Sequence, residues 1–311
     1  MSAPSATAVP RPAVPLAGYL LAAAGAILFS AKGVLIKLAY GGSVDAITLL
    51  TLRMALSAPV FVTIGLVTYA RARRRGAAAP AVGDLLKAIG VGLVGYWFAS
   101  YTDFKGLETL SPQFERLILF TYPLFVVLFG AALFGLPFRR ASLGAFAVSY
   151  AGLALIFLTD VGDQGAAVAV GVAWVLSSAV AFALYQLLAK PVIGRLGAPL
   201  FTSVAMSGAA LGTGLQFVAT RPLSDLAVSA PVFQAALAIA IGATVLPTYL
   251  MNAALSRISA QANAVIGTLS PVATLILAVL VLGETVTVAD VVGTAMVVGG
   301  VGLFTLLDRR G

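Results

Sequence analysis

The amino-acid sequence predicts an all-α integral membrane protein of ten transmembrane helices, built as two inverted five-helix repeats, and three observations lead there. Hydrophobic residues make up 60% of the 311 and charged residues 10%, with a mean hydropathy of +1.05. That leaves too few polar side chains to clothe a water-soluble globule. The apolar runs are about twenty residues long, the length an α-helix needs to cross a bilayer, whereas barrel strands would be about ten residues long and alternate in polarity. The stretch PLFVVLFGAALFG from Pro123 returns at Pro271 as PVATLILAVLVLG. That echo marks a duplicated five-span unit, and a unit with an odd number of spans enters the bilayer from opposite sides in its two copies. The 32 glycines suit close helix packing in lipid, where van der Waals contact replaces the hydrophobic drive.

Taken in order, the apolar runs bounded by turn and charge signals fall near residues 16–39, 46–70, 86–104, 110–134, 141–159, 166–190, 198–219, 231–254, 259–283 and 286–307. The first 15 residues hold Pro4, Pro10, Arg11, Pro12 and Pro15 and read as a disordered cytoplasmic tail. A cleavable signal peptide is not expected, because the first apolar run continues past Lys32 as a full span. The second span ends in the run RARRR closing at Arg75, a topology determinant first and an anionic-lipid contact second. Tyr96, Trp97 and Tyr101 make the end of the third span aromatic, the fourth opens at SP112, and Arg139 and Arg140 separate the fourth from the fifth. The polar, turn-forming segment DVGDQG at residues 160–165 borders the two copies, assigning 16–160 to the first repeat and 161–311 to the second. Lys190 and Arg195, then Arg221, then Arg257, punctuate the next three spans, and the ninth ends at LGE284.

Charge orients this arrangement. Thirteen of the 19 Lys and Arg fall on the side of the tail, against Lys105 and Arg221 on the other, while Lys32, Lys37, Arg53 and Arg116 lie within spans. This asymmetry places both termini in the cytoplasm. The acidic residues, including Asp45, Asp103, Glu108, Asp225 and Glu284, then lie mostly in outer loops. A formal net charge of +8 therefore signals topology, and nucleic acid is not an expected partner. The absence of Cys and His removes disulfides, thiolate catalysis, sulfur-ligated metals and the commonest metal ligand and acid-base group. No GxxxxGK[ST] loop for ATP occurs, and no enzyme activity, cofactor or metal is expected. A small-molecule substrate and membrane lipid are the expected partners of a monomer or homodimer.

The duplication extends beyond the opening echo. GLETLSPQFERLILFTYP aligns with ALSRISAQANAVIGTLSP at a shift of 148 residues, pairing Leu107 with Leu255, Ser111 with Ser259, Gln113 with Gln261 and Pro123 with Pro271. In the first span the shift is 153, pairing Phe29 with Phe182 and Lys37 with Lys190. These stretches, with the run LFTYPLFVVLFGAALFG, the segment ending at LGE284 and the closing VVGTAMVVGGVGLF, resemble the EamA-type transporters of the drug/metabolite transporter superfamily. The resemblance covers nearly the whole chain and implies ten helices in two five-helix repeats, with transport as the function. Where the second copy reads LGE284, the first has Leu136 in place of the acid. The tract SYTDFKGLETLSPQFERLILFTYP is similar to a bacterial inner-membrane subgroup that includes exporters of amino acids and related metabolites.

Charges within lipid are costly enough that each is expected to face a wet cavity or a partner. Glu115, Leu119 and Tyr122 share one helical face, which would present an acid and an aromatic hydroxyl to a cavity; a structural ion pair is the competing reading for Glu115. Lys32 would attract a substrate carboxylate or pair with Glu115 or Asp103. Lys37 is near enough to a helix end to snorkel, and Arg53 is expected to pair with an acid. Tyr96, Ser100 and Asp103 share a face that could stack on a substrate and fix its polar end, against an interfacial aromatic belt for Trp97 and Tyr101. In the second copy Trp174, Tyr185, Thr248, Asn252 and Asn263 are the substrate-binding candidates, with Phe182 and Tyr249 beside them. Tyr185 occupies the repeat position of Lys32. Pro123 and Pro271, in equivalent helices, are candidate hinges or static kinks. The expected function is alternating-access export of amino acids, aromatic or apolar, or of related small metabolites. Uptake, efflux of cationic drug-like compounds and a membrane-embedded lipid-modifying enzyme are the alternatives.

Overall fold

The structure, a computed structural model, describes residues 16–135, 142–160, 165–259, 263, 266 and 269–309. The expected tail (residues 1–15), Leu136, Arg139, Arg140, the border at 161–164, Gln261 and Arg310 lie outside the described residues. Among the described residues every regular element is helical: α1 Leu16–Tyr40, α2 Ala46–Arg74, α3 Val82–Gly92, α4 Ala99–Leu107, α5 Pro112–Leu119, α6 Tyr122–Phe134, α7 Ser142–Asp160, α8 Gly165–Leu196, α9 Ala198–Thr220, α10 Ala230–Ala240, α11 Leu246–Leu255, α12 Leu269–Leu277 and α13 Val288–Arg309. Among the described residues seven helical segments are long and apolar enough to cross a membrane: Leu16–Tyr40, Ala46–Arg74, Val82–Leu107, Pro112–Phe134, Gly165–Leu196, Ala198–Thr220 and Ala230–Leu255. Shorter apolar helical stretches, Ser270–Leu282 and Val288–Gly300, follow them.

The two repeats share irregularities as well as helices. The segment Val82–Leu107 widens into a π-helical turn at Leu93–Phe98 between α3 and α4, and Ala230–Leu255 does so at Ile241–Val245 between α10 and α11. The first residues of these turns are 148 apart, as in the alignment. The helices ending at Gly135 and Gly283 both close on a left-handed glycine, with φ of 65° and 68°, a conformation that a Cβ would strain. Lys37 donates to the carbonyls of Leu107 and Leu110 at 2.9 and 2.8 Å. Its repeat mate Lys190 donates to those of Leu255 and Ile258 at 3.2 and 2.8 Å. Lys37 therefore does not simply snorkel to the interface: each lysine clamps the first helix of its repeat to the end of the third, satisfying carbonyls that a helix terminus leaves without partners.

Packing between the halves is reciprocal. α2 lies on α9 and α7 on α13, each against its own repeat mate, while α1 packs on α11 and α4 on α8. Such exchange of equivalent surfaces is what an approximate twofold relation produces. Small residues allow the approach: a Cβ on Gly92 would fall onto the backbone of Ala205 in α9. Within Pro112–Phe134, α5 stops at Leu119 and α6 starts at Tyr122, and the Thr121 amide donates to the Ile118 carbonyl at 3.0 Å in a tight turn. Pro123 begins the second piece, because its missing N–H is tolerated in a first helical turn.

Candidate functional site

Where the halves meet, a cavity of about 50 Å³, room for a few water molecules, is bounded by α1, α2, Val82–Leu107, α8, α9 and Ala230–Leu255. Its walls include repeat-equivalent pairs: Phe29 with Phe182, Lys32 with Tyr185, Tyr96 with Thr244 and Ser100 with Thr248. Tyr96 and Thr244 sit in two of the three π-helical turns among the described residues, an irregularity that often marks functional positions in helices. Gly95 in the first turn lies against the Tyr185 ring, where a Cβ would collide with it.

A closed ring of hydrogen bonds forms one wall. Asn252 Nδ2 donates to the Tyr96 hydroxyl at 2.9 Å and to Thr202 Oγ1 at 2.9 Å, and the Tyr185 hydroxyl donates to Asn252 Oδ1 at 2.5 Å. With those donors assigned, Tyr96 donates to Tyr185 at 2.6 Å. Each hydroxyl in the ring then donates once and accepts, an arrangement whose members polarise one another. The Tyr96 and Tyr185 rings sit 4.8 Å apart, and Phe182 stacks on Tyr185 at 5.6 Å. Asn263 reaches Gln186 Oε1 at 3.5 Å.

Charge is confined to the other side. Five ionisable side chains are buried among the described residues, Lys32, Arg53, Asp103, Glu115 and Arg116, and all belong to the first repeat. Lys32 is ion-paired with Asp103. Arg116 stands 4.0 Å from its neighbour Glu115 and donates to the Phe29 carbonyl at 3.2 Å, while Lys32 and Arg116 both lie over the Phe29 ring. Arg53 donates to Ser100 Oγ at 3.0 Å and lies 5.1 Å from the centre of the Phe104 ring.

Ion pairs bridge the halves at both ends of the helix bundle. At one end Asp45, the N-cap of α2, accepts from the Thr48 amide at 2.9 Å and from Arg221 Nε at 2.7 Å. Burial raises the Asp45 carboxyl, but the Thr48 and Arg221 hydrogen bonds outweigh it and hold the group below the usual carboxylate range. At the other end Arg195 Nε meets Asp84 at 2.7 Å. Gln113 donates to Glu284 at 2.7 Å, so the acid of LGE284 ties the second repeat to the first.

Of the residues singled out in the sequence, Lys32, Tyr96, Ser100, Leu119, Tyr185, Thr248, Asn252 and Asn263 line the cavity. Tyr122 lines a smaller neighbouring cavity with Phe29 and Arg116. Glu115 is fully buried and does not line the cavity, although it shares α5 with Leu119; the break after Leu119 takes Tyr122 off their common face. Asp103 is likewise no outer-loop acid: it sits in α4, 1% exposed. Trp174 meets Tyr101 edge to face at 6.2 Å, away from the cavity. Among the described residues no acid lies within ion-pair distance of Arg53, which lines the cavity instead. Gln186, Ser178, Thr244 and Met206 also line it; the 148-residue offset would have found Thr244 as the partner of Tyr96.

Hydropathy, repeated architecture and a cavity between the repeats define a polytopic α-helical membrane protein of the transporter class. The chain belongs to the EamA-like transporter family, whose model matches residues 16–158 and again 169–306. It is 29% identical over 287 residues, 89% of each chain, to the uncharacterized transporter YcbK of Bacillus subtilis (strain 168). A solved crystal structure covers 94% of this chain and 98% of its own with a TM-score of 0.66 at 20% identity, a likeness of fold alone.

Proposed function

We propose that the protein is a secondary transporter of the inner membrane, exporting amino acids with aromatic or apolar side chains, or related small metabolites, by alternating access. In this reading ten spans form two inverted repeats, residues 16–160 and 161–311, with both termini cytoplasmic, and the repeats rock about the cavity between them. The observation that carries it is the mainly apolar cavity where the halves meet, with aromatic faces for an apolar body, Lys32, Arg53 and Asn252 for a polar end, and ion pairs bridging the halves at both ends of the helix bundle. A volume of about 50 Å³ admits an amino acid only after one end opens, which makes the two bridges candidate gates. Pro123 and Pro271 are the proposed hinges, Pro123 standing immediately after the break between α5 and α6. Cationic drug-like solutes are the weaker alternative, because the charged side chains on the cavity wall are Lys32 and Arg53.

Counterflow in proteoliposomes with a panel of labelled amino acids, at two pH values, tests this. Exchange of phenylalanine or leucine is expected; exchange of none of the panel overturns the substrate assignment. Tyr96→Ala is expected to shift preference away from aromatic substrates, and unchanged preference would remove the aromatic wall from the reading.

A further inference from the structure

We infer that Arg53 is the anchor for the anionic group of the transported solute, a carboxylate, and that the substrate class is therefore carboxylates with a compact apolar body. The inference rests on the transport reading for its setting, but its evidence is the charge balance of the core. Among the described residues three buried cations, Lys32, Arg53 and Arg116, face two buried acids, Asp103 and Glu115. Asp103 is committed to Lys32, and Glu115 lies beside Arg116. Arg53, 3% exposed, is left over. Its neighbours are neutral: Ser100 Oγ, the Met54 sulfur at 3.9 Å and the face of Phe104. Asp103 acts on it only from beyond ion-pair distance. Arg53 Nε has no hydrogen-bond partner.

A buried cation without a counter-charge is strongly unfavourable, and such residues within membranes mark ion or substrate pathways. Arg53 lines the cavity with a guanidinium that no acid neutralises among the described residues, and guanidinium geometry matches a carboxylate fork to fork. Ser100 and Phe104 hold the guanidinium in place before a ligand arrives. The rest of the wall suits the remainder of such a ligand, since Phe29, Phe182, Met206 and Met251 are apolar. The other cation on the wall, Lys32, is already ion-paired with Asp103, so Arg53 is the anion-seeking side chain of the cavity and the solute has one preferred orientation.

The test uses the purified full chain in nanodiscs with four probes: L-phenylalanine, 3-phenylpropionate, 3-phenylpropanamide and 2-phenylethylamine. Thermal stabilisation measures binding, and counterflow in proteoliposomes measures exchange. The first two probes, which carry the carboxylate, are expected to stabilise the wild type, and the neutral amide and the amine at least ten-fold more weakly. Comparison of the two carboxylates separates an amino acid from a simple organic acid. Arg53→Gln is expected to weaken both carboxylates at least ten-fold, and Arg53→Lys by less. Equal binding of amide and carboxylate by the wild type, binding of none of the four, or undiminished carboxylate binding by Arg53→Gln overturns the inference. Should Arg53→Gln not fold, the wild-type comparison of carboxylate with amide decides alone. Arg53-dependent binding without exchange would sink the transport reading and leave the anchor standing. Exchange insensitive to Arg53→Gln would do the reverse.

Discussion

Residue by residue, the site depends on polar groups that have been removed from water and must answer one another. Tyr185 is the clearest case, since its hydroxyl both accepts from Tyr96 and donates to Asn252 Oδ1. Tyr185→Phe keeps the stack on Phe182 and removes one hydroxyl. It is expected to cost about 1–3 kcal/mol, the penalty of leaving a buried acceptor unanswered, read as a lower melting temperature of the purified protein. Lys32 and Asp103 make a sharper contrast. Asp103→Asn leaves the Lys32 ammonium uncompensated and is expected to destabilise by roughly 3–5 kcal/mol, whereas replacing both by apolar residues of similar volume should recover most of that. Thermal denaturation of the single and double variants checks this, and equal losses in both would refute the pairing. At this scale the sequence showed which polar residues sit within lipid-length spans. It did not show their partners: Arg53 was expected to meet an acid, but the nearest carboxylate is engaged by Lys32, a choice made by helix rotation.

Among elements, caps and interruptions decide geometry. Asp45 caps α2 and bridges to Arg221 on the far half. Because its carboxyl is held below its ordinary value, the stabilisation it contributes is complete above the unfolded pKa of about 3.9 and is lost as pH falls through the lower folded value. Melting temperature followed from pH 6 down to pH 3 should therefore contain a decline that Asp45→Asn abolishes; a parallel decline in the variant would assign it to other groups. Gly92 gives a steric counterpart. Gly92→Ala drives a Cβ into the Ala205 backbone, and the expected result is a loss of about 1–3 kcal/mol from overpacking, with poor yield of folded protein. Element existence was legible from apolar length, and the cap at Ser111, which accepts from the Phe114 amide at 3.2 Å, from its Ser-Pro signature. The π-helical turns were not legible. No residue type specifies them, since the extra residue per turn is stabilised by what packs against it.

For the whole molecule, the question is how the halves move. The ion pairs Asp45 with Arg221 and Asp84 with Arg195 bridge the halves at opposite ends of the helix bundle, and alternating access requires each to open in turn. The chain has no Cys, so paired substitutions give a labelling background free of other thiols. Short bis-thiol cross-linking of Asp45→Cys with Arg221→Cys, or of Asp84→Cys with Arg195→Cys, is expected to arrest counterflow, with recovery on cleavage of the linker. Full activity with both ends cross-linked would refute rocking about this cavity.

The sequence alone determined that the chain lives in a bilayer, that it was duplicated, and which helices correspond, because hydropathy, span length and the 148- and 153-residue offsets are properties of linear order. Lys37 and Lys190 illustrate its reach: their equivalence was visible in the alignment, and the structure supplies the matching carbonyls. Only tertiary structure decided that the buried charges gather on one side of the cavity, that Arg53 forms part of its wall while Glu115 does not, and that the break after Leu119 takes Tyr122 off the face of Glu115 and Leu119. The physical reason is that a helix in lipid has no water-facing side to orient it by composition. Its rotation is settled by van der Waals fit and by which polar groups find partners, and those depend on neighbours far away in the chain.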